Sequence, residues 1–255
     1  MKTISIKDHV IKLYDSIDEL PITHFQKYNK CILIDAALGS DVDSVDTHIV
    51  NVVKHLNAGN KEQAVKELQN MRQNLHMIVS NVSPRNLAFA ALIHSIDGKV
   101  NTDLSDSHLQ EIIEELNEIP HGVLVDILQE IKKKLSTELE LYFPSEFDSA
   151  KEKEAYDRLK QRVILKLQEV SDGVDNSEGI EAIDNMLFNM RKPKCFYGKD
   201  SEEIKYDKQF ESACMIVSQK TGMTAKNMTV LEFYNTMANL QKQAEAEKKA
   251  YSKHK

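Results

Sequence analysis

Ser83-Pro84-Arg85-Asn86-Leu87-Ala88-Phe89-Ala90-Ala91-Leu92-Ile93-His94-Ser95-Ile96-Asp97-Gly98 is the stretch on which the fold turns. Ser83 stands in a cap position. Pro84 follows where a first-turn proline is tolerated, because its missing N–H has no intrahelical partner. From Leu87 to Ile93 no residue is charged. A helix that is apolar on most sides is buried on most sides. The pattern therefore predicts a helix over 84–96 at the centre of the N-terminal half, ended by the Asp97-Gly98 turn.

Helical spacing continues outward in both directions. On the N-terminal side, Ala64, Leu68, Met71, Leu75 and Ile78 predict the inner face of a helix over 61–80, capped by Asn60. Val45, Ile49, Val52 and Leu56 mark another over 44–57. Phe25, Tyr28, Asn29, Ile32 and Ala36 mark one over 22–38, closed by Gly39. Thr3–Ile6 is expected as a short strand or an arm, and no other period-2 run stands out. On the C-terminal side, Ser107-x-x-Gln110 reads as a capping box for a helix to about 118. Pro120 starts the next, with Val123, Leu124, Ile127, Ile131 and Leu135 inward, to Phe143-Pro144. Ser149-x-x-Glu152 opens a helix to about 171, with Tyr156, Leu159, Val163, Leu167 and Val170 inward. Further helices are expected over 178–190, over 202–221 before Gly222, and over 230–250 behind the box Thr229-x-x-Glu232. From about residue 244 the tail has no apolar stripe and should be a solvated, fraying helix.

The fold class expected is all-α, a multi-helix bundle of about nine to ten helices. A soft boundary at Pro144 divides an N-terminal helical domain, 1–143, from a C-terminal one, 144–255. Composition agrees. Gly (8) and Pro (5) are too scarce for turn-rich β folds or phosphate-binding loops, and without Trp the core must come from aliphatic residues and Met. At 41% hydrophobic and 29% charged, the chain is globular rather than disordered.

The same composition narrows function. A net charge of −7 argues against generic nucleic-acid binding. Three scattered cysteines, Cys31, Cys195 and Cys214, form no CxxC pair, so neither a disulfide framework nor a zinc site is expected, and a reducing compartment is. No apolar run has the length of a signal peptide core or a membrane span, so a soluble protein made in the cytosol is expected. The sequence has no GxxxxGK[ST], GxGxxG, HExxH or GxSxG pattern. Asp35, Asp41, Asp43 and Asp46 crowd one bend. An EF-hand loop from Asp41 would put Val45 at a liganding position and Asp46 where Gly is needed, so helix capping explains the cluster better. His48 and His55 lie seven residues apart, too far to share an ion in the i, i+4 manner. No catalytic, cofactor-binding or metal-binding residue is assigned.

The least helical stretch, Arg191–Lys199, interleaves Arg191, Lys192, Lys194 and Lys199 with Phe196 and Tyr197. Such a loop can grip phosphates and stack on bases. In an acidic chain it reads better as a protein contact, since Arg, Tyr and Phe are enriched at interfaces. Six of the nine methionines fall in the last third, as core filler or as a surface for a partner's apolar segment.

Two segments carry a resemblance. Glu19–Lys30 with Ile34-Asp35-Ala36-Ala37-Leu38-Gly39-Ser40-Asp41, joined by Asn86-Leu87-Ala88-Phe89 and Ser95-Ile96-Asp97-Gly98-Lys99, resembles uncharacterised structural and assembly proteins of tailed bacteriophages, including crAss-like phages. Phe210-x-x-Ala213, Thr221-Gly222-Met223-Thr224 and Leu231-Glu232-Phe233-Tyr234 are similar in style to tail assembly chaperones and neck proteins. The resemblance brings no functional residue with it. It implies a non-enzymatic protein of the head–tail junction, neck or tail, or a tail assembly chaperone. Its partners would be other phage structural proteins or further copies in a ring, in the host cytoplasm during assembly or in the virion. Arg191, Lys192, Lys194, Phe196, Tyr197, Phe233 and Tyr234 are the contact residues expected. A helical nucleic-acid-associated or packaged accessory protein is the alternative, with an enzyme built from dispersed acids and histidines third.

Overall fold

In the computed structural model the apolar run begins a helix and then abandons it. The structure describes residues 1–6, 9–116, 121–144, 150–190 and 192–253. Helix α4 spans Pro84–Ala91, and Ile93–Ile96 continue as a strand rather than a last helical turn. The expected helix over 84–96 is corrected at its end. Asp97 and Gly98 both take positive φ, 49° and 84°. Such a two-residue turn matches the right-handed twist of a hairpin, and Asp-Gly favours it. The strand therefore folds back onto Lys99–Val100.

The sheet this creates is small and antiparallel, with β1 (Lys2–Ile6), β2 (His9–Leu13), β3 (Ile93–Ile96) and β4 (Lys99–Val100) in that order. Thr3–Ile6 lies within β1, so the strand expected there forms, whereas β2, β3 and β4 were not expected. Ile11 faces Ile96, and Leu13 faces Ile93 past an irregularity at Lys12. The Asp97 turn is pinned to β2 by its carboxylate: Oδ1 accepts the Val10 N–H at 2.8 Å, and Oδ2 lies 2.7 Å from His9 Nδ1.

About three quarters of the chain is helical (74%), which makes the fold a multi-helix bundle with a minor sheet. Ten α-helices occur among the described residues. They are α1 (Ile22–Leu38), α2 (Val42–Asn57), α3 (Lys61–Val79), α4, α5 (Asp106–Glu115), α6 (His121–Tyr142), α7 (Ala150–Asp172), α8 (Ser177–Met190), α9 (Glu202–Thr221) and α10 (Val230–Lys253). The Thr229–Glu232 capping box forms as spaced, each side chain accepting the other residue's N–H, at 3.3 and 2.9 Å. The box at Ser107 does not. Ser105 caps α5 instead, accepting the His108 N–H. The Ser149 box lies outside the described residues.

One apolar cluster joins Phe25, Tyr28 and Cys31 of α1, all of α4 from Leu87 on, Leu128 to Leu139 of α6, and Cys214, Val217, Val230 and Phe233 of α9 and α10. It crosses position 144, drawing on both sides of the expected boundary. Backbone bonds reinforce the crossing. The Ile22 N–H donates to Met228 O (2.9 Å), Val230 N–H to Leu20 O (2.9 Å), and Leu231 N–H to Ile17 O (3.0 Å). No helix among the described residues is long and apolar enough to cross a membrane.

Candidate interaction surfaces

Two helical hairpins, α2–α3 and α7–α8, contribute no residue to the main cluster, and α2, α3 and α7 turn faces other than those expected. On α2 the buried residues are His48, Val52 and His55, while Ile49 and Leu56 are exposed. On α3 they are Ala64, Glu67, Asn70 and Asn74, while Leu68 and Leu75 are exposed. Each helix is thus turned so that a polar row beside the apolar stripe points inward.

The reason lies in backbone groups that need partners. The C-terminal carbonyl of α1, at Leu38, has no helical donor. It accepts from Asn74 Nδ2 at 2.7 Å and lies 3.0 Å from His48 Nε2. His48 Nδ1 is 2.6 Å from the Glu67 carboxylate. Burial disfavours the charged imidazole, but Glu67 and the Leu38 carbonyl outweigh it and hold the His48 pKa above its ordinary value. Asn70 donates to the Lys194 carbonyl at 2.9 Å. His55 is buried with no hydrogen-bond partner on either ring nitrogen among the described residues, 4.4 Å from the Phe188 ring of α8, and burial lowers its pKa. Lys54 Nζ stands 5.6 Å from the same ring, within cation–π range. The α2–α3 hairpin is therefore fastened to α1, to α8 and to the 192–200 loop through polar side chains. The sequence carries a signal for this, namely His48 and His55 at i, i+7 and Glu67, Asn70 and Asn74 at i, i+3, i+7.

Fastening the 192–200 loop also turns its ring inward. Phe196 is only 4% exposed, packed with Ile34 and Leu38. Lys192, Lys194 and Lys199 remain on the surface and Tyr197 is half-buried. Arg191 lies outside the described residues. Phe233 and Tyr234 belong to an aromatic cluster rather than to that loop. Phe233 is buried, and Tyr234 meets Phe25 at 6.3 Å, Phe143 at 5.6 Å and Phe233 at 5.8 Å between ring centres. Of the expected contact residues, the three lysines are exposed and Tyr197 is half-buried, whereas Phe196 and Phe233 are buried in the fold.

The acidic bend is divided among separate tasks. Asp35 accepts from Arg85 at 3.0 and 3.1 Å, and Asp41 caps α2 through the Ser44 N–H at 2.8 Å. Among the described residues, no group of three or more His, Cys, Asp or Glu side chains could hold a metal ion.

Helix α7 leaves a continuous apolar stripe open. Tyr156, Leu159, Val163, Leu167 and Val170, the stripe expected to face inward, are all exposed, Leu167 at 62% and Val170 at 87%. The hairpin is held by its other side. Arg162 grips Asp184 of α8 through Nε and Nη2, and Asn176 donates to the Leu165 carbonyl at 3.1 Å. Met186 and Met190 of α8 are exposed too. No family model matches the chain, and comparison with curated proteins and with solved structures finds none that matches.

Proposed function

We propose that the chain is a non-enzymatic virion or assembly protein of the tailed-phage kind, working through protein–protein contacts on the outer faces of its two helical hairpins. The observation that carries the reading is the α7 stripe. Its apolar side chains recur at intervals of three and four residues, the spacing by which a helix meets another helix. Apolar surface left in water forgoes roughly 25 cal/mol per Å². A run of such residues on a folded body marks an interaction site. The resemblance carried by residues 19–41 and 86–99 supplies the phage setting. With Phe196 packed inward, α7 is a better contact than that ring.

Quantitative mass spectrometry of particles of the encoding phage, and of infected cells, tests the reading. The chain is expected either in particles at a fixed ring-like copy number, or bound to particle precursors and absent from finished particles. Recovery with neither overturns it. Leu167→Glu with Val170→Glu should leave stability within about 0.5 kcal/mol, since both sites are exposed, yet abolish that association. A variant still associated at wild-type level would move the contact off α7.

A further inference from the structure

The sheet ends on an open edge. In the order β1-β2-β3-β4, β1 has a neighbour on one side only. Val10 of β2 fixes which backbone groups of β1 face outward. The Val10 N–H donates to the Asp97 carboxylate at 2.8 Å, and the Val10 carbonyl accepts the Asp97 N–H at 2.9 Å, so both point away from β1. Bonded and non-bonded pairs alternate along an antiparallel ladder. Ser5, which lies opposite Val10, and Thr3, opposite Lys12, therefore turn their N–H and C=O groups off the edge. Both residues are exposed, and those groups meet no partner among the described residues. Such an edge is a template for a further strand. The usual defences are missing. The β1 register is unbroken by a bulge, the strand has no proline, and its one charge, Lys2, is taken by Glu130 of α6.

The strand that fits this edge is β1 itself. A second copy laid antiparallel, with Ile4 on the two-fold axis, sets Thr3 of each copy opposite Ser5 of the other. All the outward groups then pair in four hydrogen bonds. Centring the axis on Thr3 would set Ser5 opposite Met1, and centring it on Ser5 would set Thr3 opposite Lys7, outside the strand. Side chains match in the same register. The two Ile4 residues meet as a non-hydrogen-bonded pair, their Cα atoms roughly 4.5 Å apart. Ile4 and Ile6 are half-buried against the main cluster, and a second copy extends the apolar face they share. On the opposite face the Thr3 and Ser5 hydroxyls come together, a pairing that hydrogen-bonds across strands. Lys2 falls opposite Ile6, so no like charges meet. A strand of unrelated sequence would make the backbone bonds without this matching.

We propose that two copies of the chain join β1 to β1 in this register, giving one antiparallel sheet with four strands from each copy. The contact is independent of α7. Sedimentation equilibrium of the full chain is expected to show a dimer with a Kd between about 10 µM and 1 mM, weak because one short edge buries little surface. Amide exchange at Thr3 and Ser5 should slow as the concentration rises. Ser5→Pro removes an outward N–H and no bond within the monomer, and should weaken the dimer at least about tenfold. Ile4→Cys should form a disulfide between copies on oxidation. Thr3→Cys should not, because in this register its two Cα atoms stand beyond the roughly 7 Å that a disulfide spans. The parent chain, with cysteines at 31, 195 and 214, gives the background. A chain monomeric at about 1 mM, a dimer indifferent to Ser5→Pro, or Thr3→Cys cross-linking as fully as Ile4→Cys would each overturn the proposal. Should Ser5→Pro fail to fold, amide exchange and the two cysteine variants decide.

Discussion

His48 shows how one side chain can set the sign of a pH response. Its pKa is raised in the folded state, so its contribution to stability is fully present below the unfolded value and fades as pH rises through the folded one. His24 and His55 run the other way. Both are lowered, chiefly by burial, so each stabilises the fold above the unfolded value and stops doing so as pH falls through its own folded pKa. On acidification His48 therefore offsets part of what His24 and His55 lose. Removing it as His48→Gln should make stability fall more steeply between about pH 8 and about pH 5.5 than in the parent chain. Urea midpoints at those two pH values check this, and parallel slopes would show that the His48–Glu67 bond does not titrate with folding. In the sequence His48 and His55 were legible as two histidines seven residues apart, but not what each of them meets. The partners of His48 come from α3 and from the end of α1, contacts that spacing along one helix does not reveal.

At the scale of elements, helix starts and stops were legible where local chemistry alone decides them. Gly222 takes φ 72° at the end of α9 and the Thr229 box opens α10, both as expected. Element type failed at Ile93–Ile96. A short apolar run suits a buried strand as well as a buried helix, and the Asp97-Gly98 turn with its β2 partner settles the choice. Facing failed on α2 and α3 because the Leu38 and Lys194 carbonyls drew polar residues inward, and on α7, whose Arg162 pairs with Asp184. The α1–α2 corner is fixed more tightly than the sequence suggests. Gly39 has φ 69° and ψ 178°, a conformation essentially restricted to glycine, and an added Cβ would stand 2.0 Å from Ser44 Oγ and 2.3 Å from Ser44 Cβ. Gly39→Ala should cost about 1–3 kcal/mol or more, read as a lowered urea midpoint with an unchanged slope. A variant as stable as the parent would mean that the corner can open freely.

For the whole molecule, the informative feature is the cluster shared by α1, α4, α6, α9 and α10. Composition indicated an aliphatic helical core but not that residues beyond 200 complete the one begun before 40. Phe233 is buried there beside Phe210 and Tyr234. Phe233→Ala should cost about 3–5 kcal/mol and lower a single unfolding transition, because the cavity opens in a core common to both halves. Two transitions, with only the second-half signal shifted, would show instead that the halves unfold apart.

The bonds from Ile22, Val230 and Leu231 that tie the segment before α1 to the segment before α10 also bear on biosynthesis. At ordinary translation speeds the ribosome needs roughly 10–40 s to make the chain between them. For most of that interval α1, and after it α4, are made without the helix that covers them. Until α10 leaves the exit tunnel Phe25, Leu92 and Ile93 lack the partners that cover them, so the chain's yield is expected to depend on elongation rate and nascent-chain holdases as well as on final stability.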